Sequence, residues 1–246
     1  MEKKSKLWNL LLMTGLALMI TSSCSKSNDT NNPTPNGAIT DIDGNVYHSV
    51  TIGTQVWMVE NLKTTKYRDG TGIPKVIDNL QWQSLTTGAY CWYNNDAANK
   101  DTYGALYNWH AVNTKILAPT GWHVPTSAEW TTLVNYVAAN LGASVSVAKA
   151  LAATTNWASI TDAGAVGNDL TKNNASGFTA LPGGGRIDGT YNGSFNFIGL
   201  FGYWWTSSER TVTSVWHENL TYKGSGVSSS DDYKDCGFSV RCVRDF

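Results

Sequence analysis

Apolar residues recur at helical spacing in one stretch above all others. Trp130, Leu133, Val134, Val137, Ala138 and Leu141 fall on one face of a 3.6-residue period. That pattern predicts an amphipathic helix. Both ends are marked. Pro125 stops the preceding extended segment, Thr126 stands as N-cap, and Glu129 three residues on completes a capping box. Gly142 supplies the stop. Two shorter helices are expected, over residues 103–112 with Thr102 as cap, and over residues 145–153.

Elsewhere the period falls to two. Val46, His48, Val50 and Ile52 alternate with other residues, Gly53-Thr54 marks a turn, and Gln55 to Val59 returns, which predicts a hairpin. Short strands are read over 88–93, 199–209, 214–222 and 237–244. Residues 67–83 and 154–177 read as irregular, and no repeat of fixed period is visible. Helices early and many short strands later predict an α+β fold.

The N-terminus is patterned differently. Lys3, Lys4 and Lys6 precede an apolar run from Leu7 to Ile20, about the length of a signal h-region. Small residues and Cys24 follow, in the arrangement of a lipobox. Residues 1–23 are therefore expected to be a signal peptide and Cys24 a lipidated residue. Residues 24–40 are rich in Ser, Asn, Thr and Pro and read as a tether without a core. The expected location is the bacterial cell envelope, as an outer-membrane lipoprotein held to the membrane by its lipid.

The remaining domain, 41–246, carries most of the 11 Trp, 11 Tyr and 23 Gly. A net charge of −1 with no basic patch argues against a nucleic-acid partner. In an oxidising compartment Cys91, Cys236 and Cys242 become candidates for bridging. Cys236 and Cys242 flank a predicted strand, which sets their Cα atoms about 20 Å apart, while a disulfide needs less than about 7 Å. Any bridge must then involve Cys91.

Several motifs invite chemistry and fall short of it. Asp41-Ile42-Asp43-Gly44-Asn45 lacks the third acidic position and distant Glu of an EF-hand, and reads as a turn. Gly183-Gly184-Gly185-Arg186 has no Gly-Lys-Ser/Thr and opens no helix, so it is no phosphate cradle. His217-Glu218-Asn219-Leu220-Thr221 misses the second His of a zincin. His48, His110, His123 and His217 are scattered, and His110 reads as a packed imidazole. Glu60, Glu129, Glu209 and Glu218 offer no ranked pair for glycoside hydrolysis, with Glu209 expected to pair with Arg186 or Arg241. No catalytic residue, metal or cofactor is assigned.

Carbohydrate binding fits the composition better, because aromatic faces stack on sugars while Asn and Asp take hydroxyls. The candidates are Trp92, Tyr93, Asn94, Asn95 and Asp96, then Tyr191, Asn192, Tyr203, Trp204 and Trp205. Trp57, Trp109, Trp122, Trp130 and Trp205 are expected in the core.

Taken together, residues 41–47, 52–62, 103–109, 121–130 (Gly-Trp-His-Val-Pro-Thr-Ser-Ala-Glu-Trp), 181–186, 203–209 (Tyr-Trp-Trp-Thr-Ser-Ser-Glu) and 237–245 resemble the Fibrobacter succinogenes major paralogous domain family of bacterial surface and secreted proteins. Val124 to Trp130 and Gly237 to Cys242 are distantly similar to the formylglycine-generating enzyme family. That resemblance implies a C-type-lectin-like fold: a twisted antiparallel sheet, two main helices and long loops, with the N-terminal hairpin beside the C-terminal strand. The copper-binding cysteine pair of that family has no counterpart, so its catalytic residues are not carried over. Relatives also place cysteines where this chain has Asn99 and Ala118, which leaves Cys91 and Cys242 without their usual partners. They would either bridge to each other or remain buried thiols. The leading expectation is a non-catalytic envelope module that binds a glycan or a surface protein. The rivals are an enzyme with an unrecognised acidic site and a structural component of a surface assembly.

Overall fold

The computed structural model describes residues 38–142, 145–187 and 189–245. The expected signal peptide, Cys24 and most of the expected tether lie outside them. Among the described residues no helix is long and apolar enough to cross a membrane.

The chain runs β1 (Ala38–Thr40), β2 (Val46–Ile52), β3 (Gln55–Met58), α1 (Asn79–Gln83), β4 (Tyr90–Cys91), α2 (Lys100–Tyr103), β5 (Leu106–Tyr107), α3 (Trp109–Asn113), β6 (Trp122–His123), α4 (Ser127–Asn140) and α5 (Val147–Leu151). Then follow β7 (Gly185–Ile187), β8 (Ser194–Asn196), β9 (Phe201–Glu209), β10 (Ser214–Thr221), β11 (Ser228–Tyr233) and β12 (Val243–Arg244). This is a mixed arrangement of few helices and antiparallel sheets. One sheet has the order β1-β2-β3-β12-β6, a second β11-β10-β9, and two pairs, β4-β5 and β7-β8, complete the set.

The expected hairpin is β2–β3, with Gly53 in the left-handed turn at φ 63°. The C-terminal strand pairs beside it, Val243 opposite Trp57 and His123. Before that pairing, the C-terminal segment bridges three other strands in turn. Gly237 meets Arg186, Phe238 meets Tyr107, and Ser239 meets Trp204. A single extended segment thus ties the separate sheets together. The carboxylates of Asp41 and Asp43 accept from Asn45, Tyr47, Thr64 and Thr65, so the 41–45 loop is a self-satisfied turn.

The main helix is as its caps predict. Thr126 Oγ1 accepts from Glu129 N at 3.2 Å, and Glu129 Oε2 accepts from Thr126 N at 2.7 Å. Trp130, Leu133 and Val137 are buried against Trp57, Phe178 and Trp204 in one core cluster. Trp109, Trp122 and Trp205 lie in another.

Three expectations are corrected. Residues 103–112 do not form one helix. Gly104 takes φ 74°, β5 pairs with β4, and Asn108 caps a new helix, α3. The 67–83 segment holds a short helix, α1, capped by Asp78. Cys91 and Cys242 are not bridged: both are buried thiols, in different core clusters. Burial pushes the Cys91 thiol up to about 12, only partly offset by Arg186, so it is a packing group rather than a nucleophile.

Candidate functional site

The aromatic candidates divide sharply once burial is known. Trp204 is wholly buried and packs on Trp130 at 6.1 Å. Its indole N–H is spent on Asn61 Oδ1, so it belongs to the core. Trp92 and Tyr93 are each 5% exposed. Trp92 packs edge-on against Tyr90, and Tyr93 packs on Phe195. Asn95 Nδ2 donates to Ile77 O, and Asp96 accepts from Ala98 N as a cap. The 92–96 cluster therefore shapes a turn, with Asn94 and Asn95 in left-handed backbone, and presents no stacking face.

Tyr191, Asn192 and Tyr203 do come together. Rings step outward from the core as Phe238, Tyr203, Phe201, Phe197 and Tyr191, with centroids 4.9 to 5.5 Å apart. Tyr203 is stacked on both sides, by Phe201 and by Phe238. Burial holds that phenol well above its ordinary range, and Asp232 and Tyr191 add to the shift. The hydroxyl thus stays neutral at ordinary pH.

At the outer end Tyr191 is 43% exposed, and Tyr233, which sequence reading passed over, is 53% exposed. Tyr191 ends the short turn after β7 and Tyr233 ends β11, and these two segments approach each other. A Cβ on Gly189 would lie 3.8 Å from the Tyr233 ring. Asn192, next to Tyr191, is exposed, with φ 51°. The Asp231-Asp232-Tyr233 run carried a signal: polar residues beside an exposed aromatic in a Ser-rich strand. It was masked because serines predict loops rather than edge strands.

Arg186 holds this loop in place. Its Nε donates to Gly193 O at 2.8 Å, and its Nη atoms donate to Val76 O, Ile77 O and Asn79 Oδ1. The guanidinium is fully buried over Trp82, 4.5 Å from the ring centroid. It pairs with no Glu209, which takes Lys234 instead at 2.5 Å. The triple glycine before Arg186 serves close backbone approach. A Cβ on Gly184 would stand 2.5 Å from Asn196 O.

Two further clusters hold titratable groups. His123 lies between carboxylates, Nε2 2.8 Å from Glu129 Oε1 and Nδ1 2.6 Å from Asp245 Oδ1. Burial alone would lower its pKa, but the two carboxylates outweigh it and hold it above the ordinary value. With both nitrogens engaged, this imidazole cannot serve as a general base. On β10, Glu218 is buried opposite Trp204 and Ser229, and burial pushes it up to about 7, against a hydrogen bond from Ser229. His217 faces the other way, onto Tyr203, Trp205 and Phe238, with Nδ1 lacking a partner. The strand's alternation keeps these neighbours apart. Among the described residues no group of three His, Cys, Asp or Glu is arranged to hold a metal ion.

These features define a class: an α+β domain tied together by its C-terminal segment, with exposed Tyr191 on a turn near exposed Tyr233 at a strand end. The chain belongs to the Fibrobacter succinogenes major domain family, whose model matches residues 50–244. No curated protein matches it. No solved structure matches it either.

Proposed function

We propose that this domain is a non-catalytic, lipid-anchored module of the bacterial envelope that binds carbohydrate at the Tyr191–Tyr233 surface. The observation that carries this reading is the approach of exposed Tyr191 and its exposed neighbour Asn192, on a turn that buried Arg186 fastens through Gly193 O, to exposed Tyr233 at the end of β11. Aromatic rings with adjacent donors and acceptors suit the alternating apolar faces and hydroxyls of sugars. A held loop reduces the ordering cost of binding. A C-type-lectin-like arrangement agrees with the pairing of β12 beside the N-terminal hairpin. The outer-membrane placement rests on the signal-like run and Cys24 alone.

A glycan array should return a carbohydrate ligand, and Tyr191→Ala and Tyr233→Ala should each weaken binding about tenfold, roughly the worth of one ring contact. Undiminished binding in both variants would remove this surface from consideration. Cys24→Ser should abolish lipid labelling and release the protein from membranes. An unchanged fractionation would refute the anchor.

The rival enzyme reading has one observation in its favour, the raised pKa of Glu218, in the range that suits a general acid. A hydrolase substrate panel decides it: turnover that disappears in Glu218→Gln would displace the binding reading.

A further inference from the structure

Away from the tyrosine surface, a second concavity lies between the end of α3, β6 and β9. Its volume is about 320 Å³, within the range of small-ligand pockets. Val112, Leu117, Ala118 and Val124 form its apolar wall, all buried members of one core cluster. The polar groups at its border are Lys115, His123 and Ser207.

These groups have a common chemistry. Lys115 is exposed and, among the described residues, pairs with no carboxylate. Its backbone sits at φ 60°, a conformation that a lysine rarely adopts. The two nearby carboxylates, Glu129 and Asp245, are turned to the His123 nitrogens and do not line the cavity. The rim thus carries a free cation and a hydroxyl residue, and no lining acid. His123, fixed from both sides, gives one wall a set position.

We propose that this cavity binds a small organic carboxylate, its compact apolar body against Val112, Leu117, Ala118 and Val124 and its anionic head at Lys115. A bare inorganic anion would leave the apolar wall wet. An alcohol of the same shape would leave the Lys115 charge unanswered, and an ammonium would meet it with repulsion. The site is independent of the tyrosine surface, and it needs no charged group to change its protonation.

Benzoate, benzyl alcohol and benzylammonium are the probes, titrated by calorimetry into the full-length protein. Benzoate should bind, with the other two weaker by about three- to tenfold or more. Lys115→Gln should reduce benzoate affinity by a similar factor, since one partly solvated charge pair is worth up to about 1 kcal/mol. Ser207→Phe, at an exposed position, should plug the mouth and abolish binding while the thermal midpoint stays unchanged. Tyr191→Ala should leave benzoate binding untouched. Equal affinity for benzoate and benzyl alcohol, no loss in Lys115→Gln, or no benzoate binding at all would each overturn the proposal.

Discussion

Arg241→Met should destabilise the domain by about 3–5 kcal/mol, the largest loss expected from any single polar replacement here. Arg241 is 0% exposed and has no carboxylate within hydrogen-bonding distance. Its five donors are instead divided among acceptors from separate segments. Nη1 donates to Phe178 O at 2.6 Å and Met58 O at 3.2 Å. Nη2 and Nε both donate to Asn61 Oδ1, at 2.9 and 3.2 Å. The planar group also lies 4.5 Å from the Phe178 ring centroid. Methionine has comparable bulk and an apolar stem, so the cavity term stays small. The loss comes from acceptors left dry, at roughly 1–3 kcal/mol each before relaxation.

Asn61 carries the damage further. The same amide takes the Trp204 indole N–H and donates to Tyr103 O and Ser239 Oγ. Arg241→Met therefore loosens the join between the N-terminal hairpin, β9 and the C-terminal segment. Arg241→Lys should recover only part of the loss, because a single ammonium cannot span acceptors on opposite sides. Urea unfolding at neutral pH measures both variants. A cost below about 1 kcal/mol for Arg241→Met would show that water or relaxation satisfies the acceptors.

This buried hub explains why some of the fold is legible in the sequence and some is not. Thr126, Glu129 and the Trp130-Leu133-Val137 face specify α4 by local rules, and the hairpin follows from alternation and Gly53. Those features need no distant partner. Residues 103–112 look helical by period, but Asn108 competes for the Ala111 N–H at 3.1 Å and receives Ala89 N at 2.9 Å from across the chain. Long-range contacts won there. Glu209 is expected from the sequence to pair with Arg186 or Arg241, because composition cannot show that backbone carbonyls will surround those two guanidinium groups. The site was divided in the same way. Tyr191 and Asn192 stood out as polar-loop residues, but Trp204 and Trp92 carry identical chemistry and differ only in what covers them.

Glu218→Gln should stabilise the domain at pH 8 by about 1–3 kcal/mol and leave it nearly unchanged at pH 4.5. Glu218 is 5% exposed, and its pKa rises from 4.5 to about 7 by burial. The folded state therefore binds more protons than the unfolded state across that interval. Stability is complete below 4.5 and is lost as pH rises through 7. A glutamine keeps the shape and stays neutral, so it escapes that loss. His217 acts with the opposite sign. Burial lowers it from 6.5 to about 4, so its share of stability is present above 6.5 and is lost as pH falls toward 4. Between about 4.5 and 6.5 the two slopes oppose and offset each other in the unmodified protein. In Glu218→Gln the His217 slope is no longer opposed by Glu218, so the variant should lose more stability than the unmodified protein on acidification across the same interval. Thermal midpoints measured in steps from pH 4.5 to 8 test both halves. A variant whose profile parallels the unmodified protein would mean that Glu218 is already ionised at neutral pH and solvated where the strand places it.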